Sequence, residues 1–182
     1  MNDTKDRIAG RMRELTAEAI LAALDDVKDP EIPVVSVVEL GIIQGVVVDG
    51  PVVTVSITPT FTGCPALSVM RAEIVERVRA LGAAHVEVPV VLDPPWTSDR
   101  IAPGARERMR AIGLAPPPPI QPRYRADPAL AMVAAEPDAV VVTCPFCGSN
   151  ETAVENPFGP TICRSLHYCH ACRQPFEQFK AL

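Results

Sequence analysis

Positive charge is in short supply here. The 17 lysines and arginines are outnumbered by 22 aspartates and glutamates, for a net charge of −5. A general nucleic-acid binder carries a basic face, so that class is disfavoured. No apolar run approaches the roughly 18 residues of a membrane span. The charged opening Met1-Asn2-Asp3-Thr4-Lys5-Asp6 leads into no apolar signal core. The expectation is a cytoplasmic protein with no nucleic-acid and no membrane partner. Histidine is scarce as well, limited to His85, His167 and His170. A cysteine hydrolase needs a histidine base beside its thiol, and none of the three stands in a recognisable pairing, which argues against catalysis.

Proline and cysteine, in contrast, are abundant: 20 and six in 182 residues. The length suits one ordinary domain and a small appendage. Without export, six cysteines point to metal binding or thiol reactivity rather than to disulfides. Apolar (48%) and charged (21%) fractions are those of a soluble globular protein.

The first unit alternates helices and strands. Ile20, Leu21, Leu24 and Val27 form an apolar stripe within a helix expected over Ile8 to Val27, with Thr16 capping its second half. Prolines 30 and 33 end it and hold Asp29 and Glu31 in a stiff turn, which by itself reads as a solvated acidic loop. Strands follow over 41–48 and 52–58, joined by Asp49-Gly50-Pro51, a hairpin signal. Val53, Val55 and Ile57 face the core, and Thr54, Ser56 and Thr58 the wetter side. Leu67, Met70, Ile74, Val78 and Leu81 give a second helical stripe that stops at Gly82. Val86 to Leu92 reads as a third strand, at an edge or bulged by Pro89. Trp96 is a packing anchor, and Ser98 or Asp99 caps a short helix ending near Ile112. The order α-β-β-α-β-α predicts an α+β domain over 1–115, with helices covering one face of a small sheet.

Between the second strand and second helix, Cys64 sits in the turn Thr58-Pro59-Thr60-Phe61-Thr62-Gly63-Cys64-Pro65, with Pro65 expected at the first helical position. Free N–H groups and the helix dipole there favour a thiolate, which attacks electrophiles and ligates metals. The competing reading is a small apolar residue packing the turn.

From Pro116 to Pro119 the chain is all proline, and residues 116–138 are expected to act as a semi-rigid linker holding two units apart. The second unit, 139–182, contains Cys144-Pro145-Phe146-Cys147 and Cys169-His170-Ala171-Cys172, 21 residues apart. Each pair can clip a metal from a tight turn, and four thiolates close a tetrahedral shell. About forty residues would hardly fold on an apolar core alone, so a structural ion is expected. Zinc, one per chain, is the first choice and rubredoxin-like iron the second. Cys163, His167 and His170 are spare potential ligands, although Cys163 reads more readily as buried filler and the histidines as exposed residues of the turns; Phe176 and Phe179 are expected to pack the back of the ribbon.

Asp29-Pro30-Glu31-Ile32-Pro33 and Thr58-Pro59-Thr60 through Gly63-Cys64-Pro65 resemble the metal–sulfur cluster assembly domain family. Adding Trp96-Thr97-Ser98-Asp99, Arg110 to Pro117 and the terminal ribbon, nearly the whole chain is similar to the PaaD (PaaJ) family, accessory components encoded with the bacterial phenylacetyl-CoA epoxidase. Phe61-Thr62-Gly63 replaces that family's usual Tyr-Ser-Gly. Ser98 replaces a threonine, and Arg100 stands where an aromatic is usual. The resemblance implies a non-enzymatic role in aerobic phenylacetate catabolism, with the oxygenase and/or reductase components as partners, and it allows a homodimer. It further implies handling of iron or a transient iron–sulfur cluster. Cys64 would then be a soft ligand, Asp29 and Glu31 oxygen donors or docking charges, and Thr58 and Thr60 hydrogen-bonders to the thiolate. The alternative is a structural subunit or chaperone of the oxygenase complex with Cys64 merely buried.

Overall fold

Thr16 has an extended backbone, and its hydroxyl accepts from the Ala19 N–H at 3.2 Å, which starts helix α1 (Ala17–Leu24). A computed structural model of the chain describes residues 15–61, 63–118 and 141–181. The expected start of this helix at Ile8 lies outside them. Ile20 and Leu24 are fully buried from α1, and the loop that follows adds Ile32, Val35, Val37, Leu40 and Ile42 to the same core. Strands β1 (Ile43–Asp49) and β2 (Val52–Ile57) form the antiparallel hairpin, turning through Gly50 at φ 56°. Val53, Val55 and Ile57 are buried and the alternate residues half-buried, as the pattern predicts.

Helix α2 (Leu67–Ala80) lays Met70, Ile74 and Val78 on the core, whereas Leu81 is exposed at its end. Gly82, at φ 109°, takes a conformation open to glycine and terminates the helix. The third strand is shorter than expected. β3 (His85–Glu87) pairs parallel with β2 at the sheet edge, and Pro89 interrupts it before a single bridge between Val90 and Ile57. The helix expected from Ser98 is broken as well. A 3₁₀ turn (Ser98–Arg100) precedes α3 (Pro103–Ala111), because Pro103 pushes Ala102 into an extended conformation. Trp96 is buried and donates from Nε1 to the Leu40 carbonyl at 2.9 Å, as an anchor should.

The ribbon is three antiparallel strands, β5 (Thr152–Asn156), β6 (Arg164–Cys169) and β7 (Pro175–Phe179). A fourth, β4 (Leu114–Ala115), is lent by the first unit and pairs parallel with β7, giving the order β4-β7-β6-β5. Phe179 enters the first unit's core and meets Trp96 edge-on, ring centroids 6.1 Å apart. The two units are therefore not held apart. The residues just before the proline run have already joined the ribbon sheet, and most of the expected linker, from 119 onward, lies outside the described residues.

Candidate metal centres

Each Cys-x-x-Cys pair of the ribbon is held by the same two backbone hydrogen bonds. Gly148 N–H donates to the Cys144 carbonyl (3.0 Å) and Cys144 N–H to the Ser149 carbonyl (2.9 Å). In the second turn Arg173 N–H donates to the Cys169 carbonyl (2.8 Å) and Cys169 N–H to the Gln174 carbonyl (3.0 Å). Both turns need a left-handed residue at the same place, Gly148 at φ 74° and Arg173 at φ 59°. The result is a set of four sulfurs, Cys144, Cys147, Cys169 and Cys172, all within 4.8 Å of one another. Sulfurs of different turns approach to 3.7 Å (Cys144 and Cys172) and 3.6 Å (Cys147 and Cys169). A tetrahedral ion with metal–sulfur bonds near 2.3 Å places its sulfurs roughly 3.8 Å apart, so the donor set fits such an ion. The Cys169 thiol is brought down to about 7, first by the Cys172 backbone N–H.

Cys64 occupies a less finished site. Helix α2 begins at Leu67, so Pro65 lies outside the helix and Cys64 stands three residues ahead of it. The Ala66 and Leu67 N–H groups do favour the thiolate, as expected from the turn. Burial outweighs them, the charges of Asp29 and Glu31 add to it, and the thiol is pushed up from 9.0. Burial and the acidic loop thus act against the thiolate that the turn alone favours.

The acidic loop is not a solvated one. Asp29 is 7% exposed, and its Oδ1 accepts from the N–H groups of Glu31 (2.7 Å) and Ile32 (3.0 Å). Burial raises its pKa even so. Asp29 thus staples the turn that carries Glu31. Glu31 reaches the ribbon, where Cys163 Sγ donates to its Oε2 at 3.7 Å and Arg164 Nη2 to its carbonyl at 2.5 Å. Glu31, Thr60, Phe61, Cys64, Ile162 and Cys163 line one small cleft between the units. Thr58 is not part of it. Its hydroxyl is buried and donates to the Val91 carbonyl at 2.9 Å, not to the thiol.

Cys163 is buried as expected, 8% exposed and part of the hydrophobic core. It also has polar neighbours, the Thr161 hydroxyl (3.1 Å) and Glu31 (3.7 Å), and this meeting with Glu31 is what sequence reasoning missed. The one signal is that Cys163 is a ribbon cysteine outside both Cys-x-x-Cys pairs. His167 departs from expectation. It lies buried in β6, stacked on Phe176 at 5.4 Å with Nε2 2.9 Å from Ser165 Oγ, and of the two ribbon histidines His170 alone is exposed.

Both units match known protein families. A family model described as the PaaD zinc beta ribbon domain matches residues 131–180, and one described as iron-sulfur cluster assembly protein matches residues 17–90. A protein of Escherichia coli (strain K12), named as one of the subunits of a 1,2-phenylacetyl-CoA epoxidase, is 36% identical over 163 residues, which is 90% of this chain and 92% of that protein. "Fe-S protein maturation auxiliary factor YitW" of Bacillus subtilis (strain 168) is 34% identical over 93 residues, covering 50% of this chain and 90% of its own. A solved structure, conserved hypothetical protein TM0487 from Thermotoga maritima, is 34% identical with a TM-score of 0.47 and covers 52% of this chain and 94% of that one.

Proposed function

The chain belongs to the PaaD family, and from that premise we propose that it is a non-catalytic accessory factor of a phenylacetyl-CoA epoxidase system. It assists assembly of an iron–sulfur or di-iron centre in the oxygenase or reductase component, in the cytoplasm and within aerobic phenylacetate catabolism. The observation that carries this reading is the convergence of Cys64, Glu31 and Thr60 on one cleft at the junction of the two units. Iron is the cargo there and not a resident cofactor. The half-buried Cys64 thiol keeps its proton while empty and gives it up when a metal arrives. Glu31 offers a hard oxygen beside the soft sulfur, and Asp29 positions Glu31 through their shared turn. The ribbon ion is zinc, one per chain. Four thiolates leave it no open coordination position, so it shapes the ribbon and performs no chemistry.

A second reading has its own support in the raised Cys64 pKa, since a buried protonated thiol is chemically inert. In that case the chain is a structural subunit or chaperone of the oxygenase complex and delivers no metal.

Co-production of the epoxidase components with the wild-type chain, with Cys64→Ser, or with neither separates the two. Maturation predicts that iron per oxygenase or per reductase falls, with epoxidase activity, when the chain is absent or carries serine. Full iron in both components alongside a lost activity would favour the structural role. Full activity with Cys64→Ser would remove the metal-handling reading.

A further inference from the structure

We propose that Cys163, carried by the ribbon, is the second sulfur ligand of the Cys64 cleft, and that the two cysteines and Glu31 together bind one divalent ion of the iron-to-zinc class. The proposal deepens the maturation reading and rests on it.

Cys163 immediately precedes β6, and its position is set by Arg164. That guanidinium donates to the Glu31 carbonyl at 2.5 Å and pairs with Glu177 at 2.6 Å, clamping the ribbon onto the Asp29–Pro33 loop. The clamp brings Cys163 Sγ within 3.7 Å of Glu31 Oε2 on one wall of the cleft, and Cys64 stands on the same cleft. Glu31 is the one carboxylate lining the cleft, and the Arg164 guanidinium held at its carbonyl is paired with Glu177.

The donor set selects the ion. Two sulfurs and one carboxylate suit borderline metals, whereas calcium and magnesium prefer oxygen throughout. Size narrows the cargo further. The cavity measures about 10 Å³, roughly the room of one water or one ion, and a polynuclear cluster would have to force the units apart. Among the described residues only the ribbon sulfurs are already gathered within 4.8 Å, so the cleft's three donors close on the ion as it enters. Entry replaces two S–H bonds with two metal–sulfur bonds and sends two protons to solvent, with no change of oxidation state. Three protein ligands leave a fourth position for a ligand from the receiving protein. Phe61 and Ile162, 37% and 46% exposed, form an apolar lip at the mouth where that protein would sit.

The test is a cobalt(II) titration of the full chain with its ribbon site filled by zinc, read by thiolate-to-cobalt absorption and by proton release. The wild-type chain takes up one further equivalent and releases two protons. Cys163→Ser and Cys64→Ser each roughly halve the absorption and weaken binding by more than about tenfold, since even outer-shell losses cost ~10–100-fold. Ribbon zinc stays at one in every variant, which reports an intact fold. Glu31→Gln, which keeps the backbone carbonyl that Arg164 holds, weakens binding and leaves the sulfur absorption in place. The proposal is overturned if the wild-type chain takes no further cobalt, or if Cys163→Ser binds it as the wild type does. In the co-production assay, Cys163→Ser supporting full iron loading while Cys64→Ser does not would end the two-sulfur proposal and leave maturation standing. Full loading by both would end maturation itself.

Discussion

In the ribbon, four sulfurs arrive on two turns that repeat one hydrogen-bond pattern. The cleft instead takes Cys64 from one unit and Cys163 from the other, with the Glu31 carboxylate on the same lining. The ribbon turns are local, and their sulfurs lie close to the spacing an ion demands. The cleft depends on how two units are seated, and burial and nearby acids make its thiols harder to ionise. A closed shell suits an ion that never leaves. An incomplete one, with a coordination position to spare, suits an ion in transit.

The contrast is most severely tested by emptying the ribbon. Cys144→Ser, or a chelator, should release the ion and unfold β5 to β7, because structural zinc sites supply on the order of 10–16 kcal/mol of apparent binding energy. Since Phe179 packs on Trp96, the sole tryptophan, its fluorescence should shift to the red as the ribbon opens. Unchanged emission after metal loss would mean that the units are not coupled. A middle-sized effect should follow from Phe179→Ala, which costs ~3–5 kcal/mol at the junction while leaving the ribbon sulfurs in place. Denaturant unfolding should report the loss, and thiol labelling should show Cys64 and Cys163 reacting faster with ribbon zinc retained. If labelling stayed slow, the cleft would owe nothing to the junction.

The smallest effect belongs to Asp29→Asn. Asparagine keeps an oxygen for the Glu31 and Ile32 N–H groups and removes the buried charge. Burial raises the Asp29 pKa above 3.8, so the native state holds its proton to a higher pH than the unfolded chain does. Its contribution is therefore most favourable below 3.8, and stability is lost as pH rises through the native value. The asparagine variant should lack that loss and stay within about 1 kcal/mol of wild type at neutral pH. Denaturant midpoints across that range would measure it, and a large loss at all pH values would show that the carboxylate charge itself holds the turn.

Features set by local chemistry are legible in the sequence. The gathering of four ribbon sulfurs follows from two Cys-x-x-Cys turns, the β1–β2 hairpin from Asp49-Gly50-Pro51, and the Thr16 cap from its place ahead of an apolar stripe. The buried faces of β2 and α2 follow from their periods of two and 3.6 residues. What escapes depends on distant parts of the chain meeting. Nothing near Cys163 announces Glu31, which is 132 residues away. The sequence neighbours of Cys64 favour a thiolate, whereas burial and the acidic loop decide otherwise. Strand alternation turns Thr58 toward the wetter side, but Val91 crosses over it and takes its hydrogen bond. Prolines 116–118 suggest separation, yet the two residues ahead of them pair with β7.

That pairing bears on where the molecule can be cut. A fragment begun after the prolines would contain all four ribbon cysteines and still lack Leu114 and Ala115. β7 would then become a bare sheet margin, with unpaired backbone groups on one side and the Phe179 ring stripped of Trp96. Such a margin recruits strands from other copies, so the isolated ribbon would be prone to self-association even with its metal in place. In the whole chain, two residues borrowed from the neighbouring unit seal it.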